Sequence, residues 1–260
     1  MSKKSQVTIF IILGIIIVFI IGFLVLLKYT NFNAYFDNLN IEKFSVSPQI
    51  KNVNDFVIDC LELSGEEALY FIGQHGGYYN EKIQNYNGIP YYLNEGKILV
   101  PEKGKIEIEL SKYVNDALVI CINNFEDFPN FNITKGTIKT KTIISDKEVS
   151  FNLDYPLTIK KQKAVYRLKS FDYKSPLRLG IIYNVSYSII NELAKNKSEI
   201  CLSCLSDLTL KNEMHLIARS YDNNVTVYTI ADQIYYLDIN RYSPDLFGFG
   251  NYNYKFAVRD

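Results

Sequence analysis

Residues Ser5 to Leu27 form one uninterrupted run of 23 residues without Asp, Glu, Lys, Arg or His: SQVTIFIILGIIIVFIIGFLVLL. No other stretch constrains the chain as strongly. About 20 apolar residues in a helix span the hydrocarbon core of a bilayer. In lipid the backbone must satisfy its own hydrogen bonds, so a single span has to be helical. Apolar side chains fill every face of the run, unlike the single stripe of a surface-lying helix. Its length, and the absence of an A-x-A-like site behind it, favour an uncleaved anchor over a secretory signal. Lys3 and Lys4 precede it and only Lys28 follows at once. The excess of lysine before the span predicts a cytoplasmic N-terminus and a C-terminal part outside the cell membrane.

The chain has 260 residues, 28 of them basic and 28 acidic. Three lysines and no acid lie in the first 28 residues, which leaves 25 basic and 28 acidic side chains for the rest. A net charge near −3 excludes a basic nucleic-acid-binding surface. The expected partners are the lipid bilayer and other envelope proteins, and no nucleic acid. About 230 residues suffice for a sizeable core.

The expected layout is a basic leader (1–5), a membrane helix (6–28), a stalk (29–51) and an outer domain (52–260), with Pro48 stopping any helix in the stalk. Apolar residues at three- and four-residue spacing predict a helix over 52–73, with Glu62, Glu66 and Glu67 on its wet face. Gly73-Gln74-His75-Gly76-Gly77 reads as its stop, since glycine takes the left-handed cap. Tyr91, Tyr92 and an Asn94-Glu95-Gly96 turn predict a small hairpin. A second helix is expected over 104–124. Residues 132–170 alternate as strands of a half-buried antiparallel sheet. Ser175-Pro176 reads as the opening of a third helix that ends near Asn196. A short helix within 205–217 and strands at 225–230 and 254–258 complete an α+β outer domain.

Four cysteines, Cys60, Cys121, Cys201 and Cys204, suit disulfides in an oxidising compartment. Cys60–Cys121 is the expected pair, because both lie on apolar faces of predicted helices. Cys201 and Cys204 then pair locally or stay reduced. Their CxxC spacing also fits a thiol–disulfide factor or half a zinc site, but no partner ligand is evident and neither a metal nor a cofactor is expected. His75 and His215 are the only histidines, so any triad chemistry must use one of them. No G-x-S-x-G nucleophile motif accompanies them. Glu62 and Glu66 share a face, yet read as solvated carboxylates. Sequons at Asn132, Asn184, Asn196 and Asn224 are glycosylation candidates.

Lys3-Lys4-Ser5 followed by Gln6-Val7-Thr8-Ile9-Phe10 resembles an archaeal type IV pilin-like signal. That resemblance implies a processing site between Ser5 and Gln6. Phe10 stands where pilins commonly carry Glu, and Ser5 where they carry Gly or Ala. Gln6 to Ile11, Gly73 to Tyr79, Tyr155 to Ile159 and Phe256 to Arg259 together are similar to a group of uncharacterised membrane-anchored archaeal proteins. The expectation is a structural, adhesive or pilin-like envelope protein and not an enzyme. The alternatives are a membrane-anchored enzyme or thiol–disulfide factor using Cys201 and Cys204, and a ligand-binding subunit of a membrane complex.

Overall fold

A computed structural model describes residues 48–80, 82–195, 202–221, 224–237 and 250–259. The leader, the apolar run and the stalk up to residue 47 lie outside them, as do Ser5, Gln6, Asn196 and Cys201. Among the described residues no helix is long and apolar enough to cross a membrane. From Pro48 onward they build one compact α+β unit.

Helix α1 runs Pro48–Gln74. Pro48 is thus its first residue and does not stop it, because the first helical turn needs no N–H from its opening residue. Val53, Val57, Cys60, Leu61, Ala68, Leu69 and Ile72 are all buried, as the apolar spacing requires. Glu66 departs from the expected wet face. It is 8% exposed, and the Tyr173 hydroxyl donates to its Oε1. The reason lies one residue earlier. At Gly65 a Cβ would meet the Phe151 ring at 3.1 Å and the Tyr173 ring at 3.3 Å, so this turn lies directly on the sheet beneath.

The helix ends as its glycines predict. Gly76 takes a left-handed φ of 51°, and Gly77 N–H donates to Ile72 O at 2.9 Å, the closing bond of a Schellman cap. Strands β1 (Asn85–Tyr86), β2 (Ile89–Asn94) and β3 (Lys97–Ile98) follow, with the expected hairpin between β2 and β3. Helix α2 (Lys103–Ile122) buries Ile106, Leu110, Val114, Leu118 and Ile122. The Cys60–Cys121 disulfide forms as expected and ties α1 to α2 across 61 residues.

A four-stranded antiparallel sheet comes next: β4 (Asn132–Lys135), β5 (Lys139–Ile144), β6 (Val149–Lys161) and β7 (Ala164–Ser175). β7 flanks β6 along its length, while β5 and β4 share the other side. Val149, Phe151, Leu153, Tyr155, Leu157 and Ile159 of β6 all point into the core. Pro156 is tolerated within this strand because the register shifts between Asp154 and Leu157. The freed Pro156 carbonyl accepts the Gly136 N–H at 2.7 Å. Ser175 closes β7 and does not cap a helix; α3 begins three residues after Pro176, at Leu179, and runs to Lys195.

The second sheet has six strands in the order β1-β2-β10-β9-β8, with β3 on β2. Helix α4 (Leu202–Leu210) gives way to β8 (Met214–Tyr221), where a helix reaching residue 217 was expected. β9 covers Val225–Leu237 and β10 covers Gly250–Arg259. The expectation of a purely antiparallel sheet fails at one place: β10 and β2 are parallel, pairing Ala257 with Tyr91. The sheet is therefore mixed. Both sheets and the helices over them share one continuous apolar core. Arg178, just ahead of α3, holds Asp232 of β9 through Nε at 3.1 Å and a second guanidinium nitrogen at 2.5 Å, with the carboxylate fully buried.

Candidate functional site

His75 caps α1. Its Nδ1 lies 2.8 Å from Phe71 O and its ring stacks on Phe71 with centroids 4.0 Å apart. These contacts fix the ring against its own helix. His215 stands on β8, opposite Ala231, with its side chain exposed. No hydrogen bond joins either histidine to a hydroxyl, thiol or carboxylate among the described residues. Glu62 is half-buried, and Glu66 is engaged by Tyr173. Cys204 is disulfide-bonded, exposed, and in the first turn of α4. Among the described residues no group of three or more His, Cys, Asp or Glu could hold a metal. Of the sequons, Asn132, Asn184 and Asn224 are exposed. Ser186, the third residue of the Asn184 sequon, is buried and donates to Ile182 O at 2.8 Å.

The Gly73–Tyr79 segment is a packing junction. A Cβ at Gly73 would meet Asn253 O at 2.6 Å, and one at Gly77 would meet Ile106 at 2.9 Å. The end of α1 therefore sits against β10 on one side and α2 on the other. Beneath it, the Tyr92 hydroxyl donates to Gly76 O at 2.9 Å and lies 2.7 Å from the Tyr254 hydroxyl. Burial pushes both phenols above their ordinary value of 10 and keeps them neutral. Glu109 ties the following turn down. Its fully buried carboxylate accepts the Tyr79 and Asn80 N–H groups at 3.0 and 3.1 Å, and Lys112 Nζ lies 2.6 Å away. Burial alone would raise its pKa. The Lys112 contact and the two backbone donors outweigh that and hold it below 4.5. The glycines, the tyrosine pair and Glu109 together make a closely packed joint.

A groove of about 360 Å³ runs between α4 and the face of β8 and β9. Leu205, Leu210, Met214 and Leu216 give it an apolar floor and rim, and Ser206, Thr209, Ser220 and Thr226 supply hydroxyls. Leu210 beside it is 60% exposed, and Ile217 and Tyr221 of β8 also stand out into solvent. The sheet face away from α4 bears a small apolar cluster of Tyr91, Val225, Val227 and Ala257. Arg259 crosses that face, 5.2 Å above the Tyr91 ring.

The β5 edge of the four-stranded sheet and the β8 edge are treated differently. Along β5, Thr140, Thr142 and Ile144 donate their N–H groups to Asn115 Oδ1, Ser111 Oγ and Glu107 Oε1 of α2, at 2.9, 3.0 and 2.8 Å. Spacing of four residues puts these three acceptors in a row on one helix face. They occupy the edge as a neighbouring strand would. On the six-stranded sheet, β1 and β3 both cover β2. No described residue does the same for β8. The groove and this strand edge form the candidate site. Sequence reading missed it because β8 was absorbed into an expected helix. No protein-family model, curated protein or solved structure matches the chain.

Proposed function

We propose that this chain is a single-pass membrane-anchored envelope protein whose outer domain has a structural, adhesive or pilin-like assembly role. The apolar run of Ser5 to Leu27 supports the anchor, and the Cys60–Cys121 disulfide suits an oxidising outer compartment. The observation that carries the assembly role is the open groove and strand edge between α4 and β8. It offers backbone groups and apolar surface to another polypeptide, which is how exposed sheet edges take partners.

The test is membrane fractionation of the native chain with intact-mass measurement. The chain is expected to stay with membranes through an alkaline wash, to leave them only in detergent, and to be cut by protease added outside. A mass lacking Met1 to Ser5 supports pilin-like processing, and one retaining them supports a plain anchor. A chain released by the wash, or one protected from outside protease, overturns the proposal.

A further inference from the structure

Gln233 N–H donates to Glu213 O at 3.3 Å, just ahead of the Met214–Asp232 and His215–Ala231 pairs. Hydrogen-bonded pairs alternate in an antiparallel ladder. The odd-numbered residues of β8 therefore bond to β9, and Leu216, Ala218 and Ser220 turn their N–H and C=O groups outward. Among the described residues nothing bonds those outward N–H groups. The strand they belong to is eight residues long, edged by the groove on one face and by the exposed Ile217 and Tyr221 on the other.

The charges along this edge are also incomplete. Arg219 pairs with Val227 on the sheet face away from α4, and burial together with the Arg219 charge lowers the Lys255 pKa. Among the described residues no carboxylate pairs with Arg219 or Lys255. Glu213, exposed in the turn just ahead of β8, likewise forms no salt bridge among the described residues. Six residues separate Glu213 from Arg219, with Leu216 midway. An antiparallel copy of β8 with its two-fold axis at Leu216 would set Glu213 opposite the second copy's Arg219, and Arg219 opposite its Glu213. In that register Leu216 faces itself and Met214 faces Ala218, so outward backbone groups meet outward backbone groups. A register centred at Ile217 would instead place His215 against Arg219.

We propose that β8 pairs with β8 of a second copy around a two-fold axis at Leu216, joining two six-stranded sheets into one. Such an interface is isologous and closes as a dimer. The contact follows β-strand addition, in which main-chain bonds give affinity and flanking side chains set the register. It deepens the assembly role proposed above and rests on it.

The test measures the mass of the full chain in detergent micelles by sedimentation equilibrium across a concentration series. The wild-type chain is expected to form a dimer. Glu213→Arg and Arg219→Glu should each weaken it about tenfold, since like charges then stand opposite at two places per dimer. The double reversal should restore it. Ala218→Pro should abolish the dimer without unfolding the chain, because an edge strand tolerates proline where the N–H faces outward. Circular dichroism and the intact disulfide mass check that each variant is folded. A wild-type chain that stays monomeric throughout the series overturns strand self-pairing while leaving the anchored envelope reading standing. So does a dimer that ignores the charge reversals and the proline. A monomer that binds a different extended polypeptide at β8 overturns the second copy as occupant.

Discussion

At the scale of single residues, buried polar groups carry the specificity of the α1–α2 joint. Glu109 is the clearest case, since three donors converge on one carboxylate that water does not reach. Its folded-state pKa lies below 4.5, so the unfolded chain binds the proton more readily. The contribution to stability is therefore present above pH 4.5 and is lost as pH falls through the folded value. Glu109→Gln should cost about 2 kcal/mol at neutral pH, the scale of a hydrogen bond to a charged group. Urea denaturation from pH 3 to 7 checks this: the wild-type curve should fall on acidification and the variant should be flatter. Little of this was legible beforehand. Glu109 sits 30 residues from Tyr79, and spacing within a helix says nothing about a turn elsewhere in the chain.

At the scale of elements, local pattern and long-range pairing separate cleanly. The apolar stripes of α1 and α2 and the alternation of β6 depend on neighbours three, four or two residues away, so the sequence displays them. The caps at Gly76 and the turn at Asn94 to Gly96 were legible for the same reason. β8 was not. Met-His-Leu-Ile-Ala-Arg-Ser-Tyr alternates poorly, because one face meets α4 and the other meets solvent, and it follows a helix closely. The parallel pairing of β10 with β2 joins Ala257 to Tyr91, and no periodicity reports such a contact. Element-level design shows best in the row of Asn115, Ser111 and Glu107 along β5. Replacing all three by alanine should remove about 1 kcal/mol per lost bond. Hydrogen exchange at Thr140, Thr142 and Ile144 should quicken, and the sheet edge should become open to aggregation. Unchanged exchange at those three amides would show that the helix does not guard the edge.

At the scale of the whole molecule, two linkages hold distant parts of the chain together. The disulfide fastens α1 to α2, and the Arg178–Asp232 pair fastens the approach to α3 onto β9. On the chain-entropy estimate, a loop of 61 residues contributes about 4 kcal/mol when closed. Replacing Cys60 and Cys121 together by serine should lower the unfolding free energy by that order in chemical denaturation. The cysteine pairing was readable because both residues sit on predicted apolar faces. The ion pair was not, since 54 residues separate its members and only the packed sheet brings them together.

The position of β10 bears on how this protein is made. It is the last of the ten strands among the described residues, yet it lies in the middle of its sheet, with β2 on one side and β9 on the other. Its Tyr252, Tyr254, Phe256 and Val258 fill the core beneath the end of α1. Among the described residues no earlier strand lies between β2 and β9. The seam between β2 and β9 therefore closes only through the β10 residues, Gly250–Arg259. A chain truncated before Gly250 should leave β2 and β9 unbridged, as two half-sheets with an open seam between them.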